Sequence, residues 1–460
     1  MVARHDLPRH VRVHGAAVHR HRHRDVRAEH RHELPAEAAG GGAGDDDRGR
    51  RRQHEPARGR SVQGVAAAGG KPGQPGEGRA VEAAEEVNFD SPIERAGTWS
   101  LRWERYAGRD IIPLWVADSD FRAPRAVLAA MNARVAHGVF GYTTPPAELR
   151  DAIVERLARR YNWAVDPAWI IFLPGVVPGL HVSARRLLAP DEHALLPTPL
   201  YQHFKRALEL APRAHSEIPL VLENGRWVFD LDRLRRGRTA KTRVLYLCNP
   251  QNPGGTVFRR DELARLAELA AGCVIVSDEI HCDLLLDEAA RHVPIASLAP
   301  EISRRTVTLM SANKAFNIPS AGCAWAVVED PQLREAMSLD VRAHVLPSPS
   351  VFGYAATLAA LREGDAWLAA QLEYLRGNRD LVARELPLPM APVQATYLAW
   401  IDCTELPVAD AHEHFLRHGV ALSPGAQFGA PRFVRLNFGT QRARLRQALE
   451  RMRTALPSAG

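Results

Sequence analysis

TVTLMSANK (306–314) is an apolar, β-branched run that ends in a turn of small residues and a lysine. Strands buried on both faces of a parallel sheet read as continuous apolar runs, and ligands gather at their carboxyl ends. The lysine is itself unusual. Only four lysines occur in the 460 residues, against 56 arginines, so arginine has replaced lysine almost wherever a generic positive charge suffices. A primary amine can form a Schiff base with a carbonyl; a delocalised, permanently charged guanidinium cannot. Lys71 lies in a Gly/Pro-rich stretch, and Lys205 and Lys241 read as solvated surface charges. Lys314 stands among small and apolar residues.

Outward from this stretch, strand-like and helical signals alternate. IIFL (170–173), ALLP (194–197), RVLYL (243–247) and CVIVS (273–277) are short β-type runs, with helical stretches such as DELARLAELAAG (261–272) between them. AELRDAIVERLARRYNW (147–163) places Leu149, Ile153 and Leu157 on one helical face. The pattern predicts an α/β fold: a large domain over 124–345 with a mainly parallel sheet. A helical stretch from about Pro349 to Leu386 then leads into a smaller α+β domain over 346–460, with TYLAWID and FVRLNFG as its strands. Residues 87–123 are expected to be an N-terminal arm that contributes to the small domain.

Residues 1–86 read differently. They hold nine of the 20 histidines and the runs AAGGGAG and AAAGGKPGQPGEG, without apolar periodicity, which predicts a disordered, low-complexity tail. No apolar segment follows the basic start, so no signal peptide is expected. A translation start near Val87 would make the tail an artefact. HRHRDVRAEHRH (21–32) lacks fixed ligand spacing, and no metal is expected. The remaining residues carry 44 basic and 40 acidic side chains, a balance that argues against a nucleic-acid partner. No run reaches the ~18 apolar residues of a membrane span. Five cysteines without a C-x-x-C pair point to a reduced, cytoplasmic protein.

Each strand-like run is followed by a polar signature. After IIFL, Gly175 opens a helix whose N-terminal N–H groups could bind phosphate, although a glycine there is often only a turn. Tyr201 in TPLYQHF could lie over an aromatic ligand or simply pack. CNPQNPGG (248–255) fixes an irregular loop that presents Asn252, unless it is a plain turn. Asp278 of DEIHCD directly follows an apolar strand; a carboxylate there needs a cation, such as a pyridinium nitrogen, or caps the next helix. Ser311 stands three residues before Lys314, placed to offer a hydroxyl to phosphate. Jointly these supply partners for an aldehyde, a pyridinium, a ring hydroxyl, a ring face and a phosphate, the inventory for pyridoxal 5′-phosphate.

The order of these signatures resembles the aminotransferase-type (fold type I) architecture over Asn88–Leu456. NFDSPIERAGTWSLRWE (88–104), IPLWVADSDF (112–121), HGVFGYTTPP (137–146), FLPGVVPGL (172–180), VSDEIHCDL (276–284) and PSVFGYAAT (349–357), with CNPQNPGG and FVRLNFG, are similar to the MalY/PatB-type cystathionine β-lyases. The resemblance implies that Lys314 is the Schiff-base lysine, that Asp278 faces the pyridine nitrogen and that Asn252 contacts the ring hydroxyl. It also implies that Tyr201 stacks on the ring, that His281 lies at the cofactor, and that Gly175, Val176 and Ser311 face the phosphate. Tyr142 would reach the phosphate of a neighbouring subunit, making a homodimer with shared active sites. Arg435 would bind the α-carboxylate of a small amino-acid substrate, for which a planar fork is suited. Three features depart from the family pattern: Asn313 in place of serine, Ser119 in place of methionine, and the turn Asn317-Ile318-Pro319-Ser320-Ala321-Gly322.

The activity so implied is β-elimination from cystathionine or a related S-substituted cysteine, giving a thiol, pyruvate and ammonia. Lys314 would be the general base. An aminotransferase on the same site is the alternative, and a regulatory protein built on the same scaffold is a second.

Overall fold

A computed structural model describes residues 88–457. The readings made for the tail lie outside these residues, and the chain divides into two units after Glu85. Seven strands form the central sheet: β1 (Ile170–Leu173), β2 (His193–Thr198), β3 (Ala214–Pro219), β4 (Thr242–Cys248), β5 (Val274–Asp278), β6 (Thr306–Met310) and β7 (Ala324–Val327). Their spatial order is β1-β7-β6-β5-β4-β2-β3. The pairs from β6 through β3 are parallel, whereas β7 runs antiparallel to both β1 and β6.

The continuous apolar runs have the cause inferred for them, because both faces of the sheet are covered. In β1, Ile170 and Phe172 join one core cluster while Ile171 and Leu173 join another. In β4, Val244 and Tyr246 face one cluster, and Leu245 and Leu247 a third. The helix Ala147–Tyr161 buries Leu149, Ile153 and Leu157, the face that the four-residue spacing marked. Two strands, β3 and β7, were not anticipated. β3 is polar and largely open (AHSEIP), as an edge strand is, and carries no apolar run to betray it.

The helical stretch expected from about Pro349 to Leu386 is two helices, Val351–Glu363 and Asp365–Glu385, that meet at Gly364. A side chain at Gly364 would collide with the Ala360 carbonyl and the Phe316 ring, so the second helix starts only where no side chain intervenes. Beyond it, Leu398–Asp402, Phe433–Asn437 and Ser423–Pro424 form a three-stranded antiparallel sheet. Ile112–Pro113 pairs in parallel with Val420–Ala421, which fixes the early chain to the late chain.

The short 3₁₀ turn Gly425–Phe428 is tied down at its first residue. A Cβ on Gly425 would strike the carbonyls of Ala430 and Phe433, both backbone atoms that cannot swing away. Gly425→Ala is expected to destabilise by about 1–3 kcal/mol through overpacking, read as a lowered denaturant midpoint.

Candidate active site

Strand ends deliver the site, each for a local reason. β6 closes on Met310, and the chain turns through Ser311 and Asn313 to Lys314. The Lys314 Nζ donates to the Ala117 carbonyl at 2.6 Å, and the Tyr397 hydroxyl donates to the same oxygen at 3.0 Å. Burial pulls the lysine down to about 8, opposed by Asp118 and Asp278 and reinforced by Arg435. The amine is thus far easier to free than an exposed lysine.

β5 ends at Asp278, which is 4 % exposed, and its Oδ1 accepts the Ile280 N–H at 3.0 Å. Burial pushes its carboxyl up to about 7; the Ile280 N–H and Lys314 only partly offset this. A buried carboxylate without a close cation is a poised acceptor for one. The folded carboxyl binds its proton more tightly than the unfolded one. Its contribution to the stability of the cofactor-free protein is therefore lost as pH rises from about 4 to about 7, at roughly 1.4 kcal/mol per pH unit. Asp278→Asn should raise the melting temperature of cofactor-free protein more at pH 8 than at pH 5. An equal change at both pH values would contradict this.

The loop after β4 turns through two cis Asn-Pro bonds and buries Asn252. Its Oδ1 accepts from Arg435 at 2.9 Å. Arg435, on the strand Phe433–Asn437, also donates to the Trp115 carbonyl at 2.9 Å and the Ser423 hydroxyl at 3.1 Å. It lies 4.7 Å from the Phe428 ring, and burial lowers its pKa to about 10. Its Nε is buried without a partner. His281 has an unpartnered Nδ1, and burial, with Lys314 and Arg435 beyond, holds its ring well below the usual imidazole value.

One cavity of about 350 Å³ collects these groups: Lys314, Asp278, Asn252, Arg435, Tyr201 and His281 all line it. Gly175 and Val176 line it too, at the start of α1 (Val176–Arg186), where no side chain caps the first turn. Its free N–H groups are an anion cradle. Two expected residues stand elsewhere. The Ser311 hydroxyl donates to the Cys323 carbonyl at 2.7 Å and accepts from the Asn313 N–H, and it does not reach the cavity wall. Asn313 lines the cavity instead, with a buried Oδ1 that has no partner. Tyr142 is fully exposed on this single chain and lies outside the cavity.

Other contributors escaped the sequence reading. Asn317, at φ +52°, donates to the carbonyls of Ser119 at 2.9 Å and Phe121 at 2.7 Å, and accepts the Ser119 N–H. The departing turn therefore clamps the segment that carries Ala117 against the lysine loop. Arg95 and Arg102 bracket Asp118 and Asp120 of the same segment. The doubled charge pattern R…R and D-x-D was the one available signal.

A mainly parallel sheet with a lysine, an aspartate and an arginine converging at its carboxyl edge defines an enzyme of the fold type I class. The chain belongs to the aminotransferase class I and II family, whose model matches residues 109–452. Cystathionine beta-lyase PatB of Bacillus subtilis is 34 % identical over 387 residues, which cover 80 % of this chain and 100 % of the relative. Among solved structures, OvoB superposes with a TM-score of 0.79 at 44 % identity, covering 81 % of this chain and 100 % of that one. The PLP-bound C-S lyase from Staphylococcus hominis complexed with L-cycloserine has a TM-score of 0.77 at 28 % identity, covering 81 % and 99 %. The family resemblance and the fold class read from the sequence are both borne out. No helix among the described residues is long and apolar enough to cross a membrane.

The donor set fits pyridoxal 5′-phosphate on chemical grounds. An acceptor carboxylate, a neutral amide in Asn252 whose Oδ1 is occupied by Arg435 so that its N–H groups are left to donate, an amine of lowered pKa and an uncapped helix start each match one part of that molecule.

Proposed function

We propose that this protein is a pyridoxal-phosphate-dependent carbon–sulfur β-lyase that cleaves cystathionine or related S-substituted cysteines to a thiol, pyruvate and ammonia. The observation that carries the reading is the convergence of Lys314, Asp278 and Arg435 on one cavity. The names borne by its relatives supply the reaction class.

Lys314, Asp278, Asn252, Tyr201 and His281 would hold the pyridine ring, while Gly175, Val176 and Asn313 would hold the phosphate, with Ser311 bracing the turn behind them. When bound, pyridoxal 5′-phosphate supplies the electron sink for the pair released at Cα. Arg435 binds the substrate α-carboxylate, with Asn252 and the Trp115 carbonyl fixing the plane of its fork. The Lys314 amine takes the Cα proton; its lowered pKa leaves an appreciable free-base fraction near neutral pH. Asp278 holds a proton on the ring nitrogen. The thiolate then leaves from Cβ.

Two copies would complete the site, with Tyr142 reaching the neighbouring phosphate. The exposed Val135, Val139, Phe140 and Tyr142 support this homodimer, since they gather large apolar side chains on one surface stretch. Five free, buried cysteines support a reducing, cytoplasmic setting. Residues 87–123 and 346–460 would form a small domain beside a large one at 124–345, as their shared strand pairing supports.

The test is incubation of the cofactor-loaded protein with L-cystathionine and detection of pyruvate. Pyruvate release supports the lyase. Keto-acid-dependent conversion of the cofactor to its amine form, without pyruvate, would give the site to an aminotransferase instead.

A further inference from the structure

We infer that the outer part of this cavity is a subsite for a carboxylate carried on the sulfur substituent of the substrate, an inference that rests on the lyase reading. Its central residue is His203, the first residue of α2 (His203–Leu210). His203 lines the cavity, and its Nδ1 is buried without a hydrogen-bond partner. The Tyr201 ring stands 5.0 Å away at 49°, so His203 adjoins the ring on which the cofactor would lie. A buried polar atom left unpaired is costly, and a ligand that answers it recovers that cost.

The surroundings of His203 give the sign of that ligand. Burial lowers its pKa, and the neighbouring His181 of α1 and the Arg206 guanidinium one turn along α2 lower it further, so the standing positive charge beside it is that of Arg206. The Arg206 guanidinium has no ion-pair partner among the described residues. The contrast with the next arginines of α1 is sharp, since Arg185 and Arg186 both pair with Asp340. Only one carboxylate lines the cavity among the described residues, Asp278, and it belongs to the ring nitrogen. The substrate α-carboxylate answers Arg435, which leaves the unpartnered His203 Nδ1 and the Arg206 charge beside it unanswered.

The side chains of Gln202 and Gln427, also on the cavity wall, add amide donors, and Gln427 is exposed, so this end is the open one. A sulfur substituent of a few carbons that ends in a carboxylate places its charge there. A bare S-alkyl group does not. Sites built to hydrogen-bond a group discriminate strongly against analogues that lack it, because the protein donor is left unpaired.

The experiment compares S-(2-carboxyethyl)-L-cysteine with S-ethyl-L-cysteine on the cofactor-loaded protein, reading pyruvate release and, by calorimetry, binding. The carboxylated compound is expected to have a kcat/KM about tenfold higher, the size of one charge-assisted hydrogen bond. That ratio should fall towards unity in His203→Ala and in Arg206→Ala, and His203→Asn should restore part of it. A wild-type ratio near one, or a ratio unmoved by both variants, overturns the subsite. Loss of cofactor retention in His203→Ala with the ratio unchanged would assign His203 to the phosphate and also overturn it. Should neither compound yield pyruvate, the lyase reading fails. The calorimetric ratio of the two compounds still decides the subsite, with equal affinities counting against it.

Discussion

Lys314→Ala is expected to fold, to lose the visible absorbance of a lysine-bound cofactor, and to release pyruvate at least about 10³-fold more slowly than the unaltered protein. One side chain would supply both the covalent anchor and the base at Cα, and general-base contributions alone reach 10²–10⁴-fold. Little stability should be lost, because the amine is held by one hydrogen bond to Ala117 and its burial opposes its own charge. Added ethylamine or methylamine in the vacated space should recover part of the rate. Unchanged pyruvate release would remove Lys314 from the reaction altogether.

Arg435→Lys should be nearly as damaging through a different quantity. The change keeps one positive charge but replaces a planar fork with a point charge. It would leave the Asn252 amide and the Trp115 carbonyl without the donors that now reach them at 2.9 Å. Hydrogen bonds to charged groups are worth roughly 1.5–3 kcal/mol, so kcat/KM should drop by about 10²-fold. The loss should fall mainly on KM, because the carboxylate is held equally before and during the reaction. Cofactor absorbance should survive. A loss confined to kcat would instead place Arg435 against the reacting atoms.

What the sequence disclosed about this site follows from where its residues sit. Lys314 and Asp278 were legible because apolar strands end on them, and a polar side chain at that junction has few places to go. Asn252 was legible because prolines flank it in a loop that could not be helix or strand. Arg435 needed the family pattern, since nothing within FVRLN distinguishes an inward guanidinium from an outward one. The Ala117 carbonyl escaped entirely, being a backbone atom that any residue would provide. Asn317 escaped because its partners, backbone atoms of Ser119 and Phe121, lie about 200 residues away and would be supplied by any residue there. His203 is a lone histidine in TPLYQHF, and nothing in that motif distinguishes a ring that meets a cavity from one that packs. In the fold, β7 was not legible although AWAV is apolar, because only the short 3₁₀ turn Pro319–Ala321 and no α-helix precedes it, and the parallel alternation breaks there.

The Arg435 bonds join chain segments separated by 183 and 320 positions at one cavity, and the Asn317 clamp, spanning 198, secures the segment that brings Ala117 to it. A molecule seated there touches the early, middle and late chain at once, and it binds only when all three are assembled. Its occupancy then adds RT ln(1 + [L]/Kd) to the folding free energy, about 2.7 kcal/mol at a hundredfold excess over Kd. Vitamin supply thereby becomes a determinant of turnover: cells short of the cofactor would hold the same gene product with a shorter half-life against proteases, and abundance would track nutrition without any change in transcription.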